Sequence, residues 1–159
     1  MKNVVLARID DRLIHGQVMT SWLNVTGATR IIIVDDETAQ DAFLKMIVTS
    51  VAPANVKTEV YTIEEAVTVF KGLAERSEKV IVLVKYPSVL VNLAEKGIVF
   101  AEINIGGMGA KEGRQKFYKN ISASPEELQA LSVLIAKGSD IFIQIIAEDK
   151  AIDVKKLIK

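Results

Sequence analysis

His15 is the only histidine among 159 residues, and it stands within Arg8-Ile9-Asp10-Asp11-Arg12-Leu13-Ile14-His15-Gly16-Gln17. An imidazole combined with two guanidinium groups, two carboxylates and a glycine suits the handling of a phosphoryl group. Imidazole is a good nucleophile when neutral, and its unperturbed pKa of about 6.5 makes that form accessible near neutral pH. A cation some 6 Å away opposes protonation by roughly 2 to 3 kcal/mol at an effective dielectric of about 20. Arg8 and Arg12 therefore favour the neutral ring, and Asp10 or Asp11 offsets part of that. Once phosphorylated, the ring would carry a dianionic group, which arginines and the amides of a helix N-terminus stabilise. Gly16 lets the backbone approach closely, and Gln17 follows at the start of the helix. A carboxylate of this loop either holds Arg12 in place or accepts a hydrogen bond from the ring nitrogen that does not react, fixing the tautomer. A solvated turn with weak surface ion pairs would have the same composition, so position has to decide between the two readings.

The apolar run Val4-Val5-Leu6-Ala7 precedes this cluster, and Val18, Met19 and Trp22 follow it at helical spacing. The pattern predicts a strand, a charged loop and a helix over 17–25. In an α/β protein the loop after the first parallel strand opens at the carboxyl edge of the sheet, where ligands bind. Further runs rich in Val and Ile at 30–34, 79–84, 100–105 and 140–147 lack strict alternation, as strands buried on both faces do. The more polar run 56–62 reads as a strand towards an edge. Helix starts follow from Thr38 with Asp41, Thr62 with Glu65, and Ser124 with Glu127 and Pro125; Gly97 and Gly138, each after a lysine, mark stops. The expected helices are 38–52, 63–76, 87–96, 125–137 and 149–158. The expectation is an α/β fold, a single domain over 1–159 with a mostly parallel central sheet and helices on both faces. No linker or internal repeat divides it.

Right-handed crossovers put the strand-to-helix loops of such a sheet on one edge. Residues 8–16, Asp35 and Asp36, Lys85 and the glycine-rich segment 106–115 then share a rim. Asp35 and Asp36 read as helix caps, and Trp22 as a core residue. Leu13 and Ile14, beside the histidine in a short loop, are expected to be partly exposed and to touch a partner. Arg114 is a further candidate contact.

Twenty basic residues balance twenty acidic ones, so no global electrostatic footprint points to nucleic acid. The absence of cysteine excludes disulfides and thiolate catalysis. With a single histidine as well, a conventional zinc site is not expected, and neither is a cofactor. The apolar runs are strand-sized, well below the roughly 20 residues of a membrane span, and no secretory signal pattern follows Met1. Any membrane connection must come through a partner.

Residues 8–18 resemble the active-site signature of the IIB component of the mannose/fructose/sorbose family of the bacterial phosphoenolpyruvate-dependent sugar phosphotransferase system. A second block, Asn104-Ile105-Gly106-Gly107-Met108 continuing through Arg114 and Lys119 to Ser122, is also similar to that family, and the likeness covers essentially the whole chain. The resemblance implies that His15 takes a phosphoryl group from a phosphohistidine of a IIA protein and passes it to a sugar delivered by the membrane components IIC and IID. Catalytic roles for His15, Arg12 and Arg8 are then expected, with support from Asp10, Asp11, Gly16 and Gln17 and with no metal. A cytoplasmic location, peripheral to the inner face of the membrane, is implied too. A histidine phosphatase reading fails because Ile14 stands where that motif has arginine and no second histidine exists. A receiver-like site at Asp35, Asp36 and Lys85 is the other rival.

Overall fold

Val and Ile dominate β2, Arg30–Val34, and β4, Val80–Val84, and every residue of both strands is buried. In this computed structural model, which describes residues 3–73 and 77–158, they are adjacent interior strands of a seven-stranded sheet. The remaining elements, in chain order, are β1 Val4–Asp10, α1 Gly16–Thr26, α2 Asp36–Ala39, α3 Ala42–Ser50, β3 Lys57–Tyr61, α4 Ile63–Leu73 and α5 Pro87–Glu95. These are followed by β5 Glu102–Gly107, β6 Gln115–Tyr118, β7 Ile121–Ala123, α6 Pro125–Ala136, β8 Asp140–Ile143 and β9 Ile152–Asp153. The sheet order is β3-β2-β4-β1-β5-β8-β9, parallel except for β9 at one edge, with β3 at the other.

Alternate residues of the central strands enter different cores, as the two-residue period of a strand requires. Ile32, Val34, Val80, Val82 and Val84 join α4, α5 and α6 on one face, while Ile31, Ile33, Ile81 and Leu83 join α1 on the other, with Val48 of α3 partly buried there. The helices thus cover both faces. Strand β1 leads into α1 on one face, and its neighbour β5 leads through the β6–β7 hairpin to α6 on the opposite face. Connections that leave adjacent strands for opposite faces open a crevice at the carboxyl edge between them.

Local signals hold where they are self-contained. Ser124 and Glu127 form a reciprocal capping box at α6, and Thr62 and Glu65 do the same before α4. Gly97 and Gly138 take left-handed conformations at the stops of α5 and α6. The expected helix 63–76 is seen as α4 to Leu73; its last three residues lie outside the described residues.

Other expectations need correction. The segment 38–52 is two helices, because Asp35 caps α2 through the Thr38 amide and hydroxyl while Asp41 caps α3 through the Phe43 and Leu44 amides. Thr38 is therefore not a cap. The segment 149–158 is not a helix: Ile152 pairs with Ile143, and the Asp153 carboxylate captures the Lys155 amide to start a single 3-10 turn. A helix that short is marginal on its own, and a strand partner outcompetes it. The strand expected over 140–147 ends at Ile143, and the hairpin of β6 and β7, turning at Lys119 and Asn120, was not anticipated.

Candidate functional site

Strand β1 runs further than its apolar start, so Arg8 and Asp10 are strand residues pointing to one face rather than members of a loop. The chain then turns sharply. The Asp11 amide donates to the Gly107 carbonyl at 2.9 Å, and the Leu13 amide donates back to the Asp10 carbonyl at 2.9 Å. Leu13 adopts φ 59°, a left-handed conformation that costs a leucine on the order of 1–3 kcal/mol. Burial offsets this cost. Leu13 and Ile14 retain only 2% and 7% of their exposure and pack against Ile31, Ile33, Ile81 and Leu83, worth roughly 1.5–3 kcal/mol per side chain. The expectation that these two residues face a partner is therefore wrong. They are the pins that hold the loop to the sheet, and they leave His15, Gly16 and Gln17 exposed beside them.

His15 is the extended residue immediately before α1, and its side chain makes no capping bond to the helix. The Met19 amide bonds to the His15 carbonyl, so the amides of residues 16–18 precede the first helical hydrogen bond. The first turn contains no acidic residue to compete for them. An anion held at the ring would meet these amides and the positive end of the helix dipole.

Three charged side chains connect in series from the ring into the protein, Arg12, Asp10 and Arg8. The Asp10 carboxylate, 1% exposed, accepts Arg12 Nε at 2.9 Å and Nη2 at 2.9 Å as a bidentate pair, the Arg12 amide at 3.0 Å, and Arg8 Nη2 at 3.2 Å. Burial by itself would raise the Asp10 carboxyl, but the hydrogen bonds from Arg12 and the charges of both arginines outweigh it and hold the group below the usual range. Arg12, 44% exposed and kept firmly charged by its bonds to Asp10, brings Nη1 within 3.4 Å of His15 Nδ1.

Arg8 stands differently from its expected catalytic place. Its side chain is 1% exposed, donates to Asn104 Oδ1 at 2.6 Å and to the Gln144 carbonyl at 3.1 Å, and lies 5.8 Å from the Trp22 ring centre. Burial lowers its pKa to about 10, with Asp10 offsetting part of the effect. Enclosed in this way, Arg8 cannot touch a group at His15; it holds Asp10, which holds Arg12.

Asp11 has a separate partner. It accepts the Gly109 amide at 2.8 Å and Arg114 Nη1 at 2.8 Å, while Arg114 Nε and Nη2 grip Glu127 of α6 at 2.8 and 2.7 Å. The Arg114 side chain is fully buried, and the hydrogen bonds it donates to Glu127 and Asp11 raise its pKa against the opposing effect of burial. Instead of facing a partner, Arg114 braces the histidine loop to the glycine-rich loop and to α6. Neither aspartate bonds to the imidazole, so of the two roles open to them the structure places Asp10 on Arg12.

Gly106, Gly107, Asn104 and Glu127 were not assigned these roles from sequence. A Cβ on Gly106 would sit 1.9 Å from Arg8 Cζ, and one on Gly107 would sit 2.5 Å from Asp10 Oδ1. The paired glycines after an apolar strand were the available signal. They mark where buried arginine and carboxylate groups pass against the neighbouring strand. Between the loops lies a cleft of about 370 Å³ lined by Asp11, Arg12, Gly107, Met108, Asn120 and Ile145, at the crevice between β1 and β5. On the same rim Asp35 caps α2, with Lys85 Nζ 3.7 Å away, and Asp36 accepts the Ile63 amide; both aspartates have structural partners.

Comparison with known proteins agrees with this arrangement. Residues 4–159 match the model of the phosphotransferase system sorbose subfamily IIB component. The chain is 35% identical over its whole length to the fructose-specific EIIB component of Bacillus subtilis, covering 98% of that protein. It is 34% identical to the mannose-specific EIIAB component of Escherichia coli K12 over 96% of this chain and 47% of that one. The crystal structure of the IIB domain of the Klebsiella pneumoniae sorbose permease superposes with a TM-score of 0.91 at 34% identity, over 98% of this chain and 96% of that one. An exposed histidine at the start of α1 on this sheet, and likeness along the full chain, lead to one assignment: the protein belongs to the mannose/fructose/sorbose family of phosphotransferase-system IIB components.

Proposed function

We propose that this protein is a phosphocarrier that accepts a phosphoryl group on His15 from a IIA phosphohistidine and transfers it to a sugar during uptake through the membrane components IIC and IID. The observation that carries the reading is the placement of exposed His15 at the start of α1 with Arg12 Nη1 3.4 Å from Nδ1. A phosphoryl group on Nδ1 would meet the Arg12 guanidinium and the amides of residues 16–18. In the first step the donor's P–N bond breaks as the P–N bond to His15 forms. One such bond replaces another of similar energy, so the protein has to position the two rings and stabilise the flat, negatively charged group between them. In the second step a sugar hydroxyl attacks phosphorus, the P–N bond to His15 breaks, and the hydroxyl proton leaves to the freed ring or to solvent. The roles of Arg12, Asp10 and Arg8 are graded: Arg12 contacts the phosphoryl oxygens, Asp10 orients Arg12, and Arg8 holds Asp10.

Among the described residues no helix is long and apolar enough to cross a membrane. We place the protein in the cytoplasm, at the inner face of the membrane, through its partners. Fusion of a IIA segment with a IIB segment is named in the mannose EIIAB relative and supports a IIA donor. The test is incubation with phosphoenolpyruvate, the general phosphotransferase proteins and a matching IIA. Acid-labile label on His15 that disappears in His15→Ala is expected; acid-stable label, or label that survives the substitution, would refute the assignment.

A further inference from the structure

With Leu13 and Ile14 buried, the apolar surface that a partner meets beside His15 has to come from elsewhere. Helix α3 has no buried residue, which is unusual for a helix whose single charged side chain is Lys45. Phe43 (64% exposed), Met46 (59%), Ile47 and Val51 form an exposed stripe along one side of it at positions i, i+3, i+4 and i+8. Apolar stripes of this kind mark interaction surfaces. At its end the stripe runs into a groove lined by Gly16, Gln17, Met19, Thr20, Val51 and Pro53. Stripe and groove are thus continuous with the start of the helix that His15 precedes.

We infer that the α3 stripe and this groove form the docking face for the phosphorylated IIA donor, an inference that rests on the phosphocarrier reading. Charge selects this occupant. None of the groove or stripe residues is acidic, and the Asp41 carboxylate beside Phe43 is taken up by the Phe43 and Leu44 amides, whereas Asp11 of the histidine loop lines the cleft beside the glycine-rich loop, which carries Glu112. A donor arrives with a dianionic phosphoryl group at the centre of its contact surface, and a groove without carboxylates that ends at the first residues of α1 favours it. The acceptor sugar is neutral and needs no such selection, and a second, unphosphorylated copy of this chain brings no phosphoryl dianion.

Ile47→Glu and Ile47→Lys test this in rapid-mixing experiments with a phosphorylated IIA protein that labels wild-type His15. At subsaturating donor, Ile47→Glu is expected to slow transfer by about tenfold and Ile47→Lys by less. The rate at saturating donor and the thermal midpoint should stay near wild type, because the residue is exposed and far from the reacting ring in sequence. Normal transfer from IIA to Ile47→Glu overturns the inference and leaves the carrier reading intact. So does an effect confined to sugar phosphorylation by membranes from pre-phosphorylated protein, which assigns the face to the transporter. Self-association of the wild type that Ile47→Glu abolishes would assign the face to a second copy and overturn the inference as well. Failure of the donor to label wild-type His15 would overturn both readings.

Discussion

Replacing Gly107 with alanine should slow phosphoryl transfer at a histidine 92 positions away in sequence. The new Cβ would lie 2.5 Å from Asp10 Oδ1, 2.9 Å from its Cγ and 3.2 Å from Arg12 Nη2, where ordinary contact begins at 3.4 Å. The carboxylate would have to retreat by roughly 0.9 Å, and it is buried and bonded on both sides by arginine. Overpacking of this kind costs about 1–3 kcal/mol, which for a chain of this size lowers the melting temperature by roughly 2–12 °C. Because Asp10 carries Arg12 with it, the guanidinium shifts by a comparable distance. A 1 Å misplacement of a positioning group is worth about a hundredfold in rate. The neighbouring glycines calibrate the experiment. A Cβ on Gly109 would lie 3.7 Å from Asp11 Oδ2, an ordinary contact, so Gly109→Ala should transfer at the wild-type rate. A Cβ on Gly106 would fall 1.9 Å from Arg8 Cζ, so Gly106→Ala should lose more stability than Gly107→Ala. Rapid-quench transfer from phosphorylated IIA and thermal unfolding measure the two effects. Wild-type kinetics in Gly107→Ala, or slowed transfer in Gly109→Ala, would refute the chain of contacts from Gly107 through Asp10 to Arg12.

Arg114→Met should destabilise the protein by about 3–5 kcal/mol in urea titrations, because Asp11 and Glu127 lose a fully buried common partner; a loss below about 1 kcal/mol would show that the brace is dispensable. Asp10 and Glu127 are both held below the usual carboxyl range, since hydrogen bonds from arginine outweigh the upward effect of burial. The stability they contribute is complete above the ordinary carboxyl values near about pH 4 and is lost as the pH falls through their lower folded values. The urea midpoint should drop steeply below about pH 4, and less steeply in Asp10→Asn; identical slopes would remove Asp10 from the linkage. Leu13→Gly relieves a left-handed leucine, worth about 1–2 kcal/mol, yet it empties a buried site worth about 2–5 kcal/mol. A net loss of stability is expected, and a gain would mean that strain rather than burial dominates the turn.

The residues of the loop, taken in order, suggest the proposed chemistry by their types: one imidazole, two arginines and a glycine between an apolar strand and a helix. The strand interiors of β2 and β4 and the starts of α4 and α6 were equally legible, because burial on both faces and a capping box are written within a few adjacent residues. What could not be read there depended on residues distant in sequence. Arg8 and Asp10 become buried strand residues only because Asn104, Gly106 and Gly107 on β5 leave room and partners for them. Leu13 and Ile14 turn inward because β2 and β4 lay an apolar surface under the loop. Arg114 finds Asp11 and Glu127 only once the glycine-rich loop folds back, and the C-terminal segment chooses a strand over a helix only because β8 offers it an edge. Sequence fixes the local energetics of turns, caps and periodicity; which charge is buried, and against whom, is decided by the register of strands about a hundred residues apart, where a single missing Cβ determines whether two groups can meet.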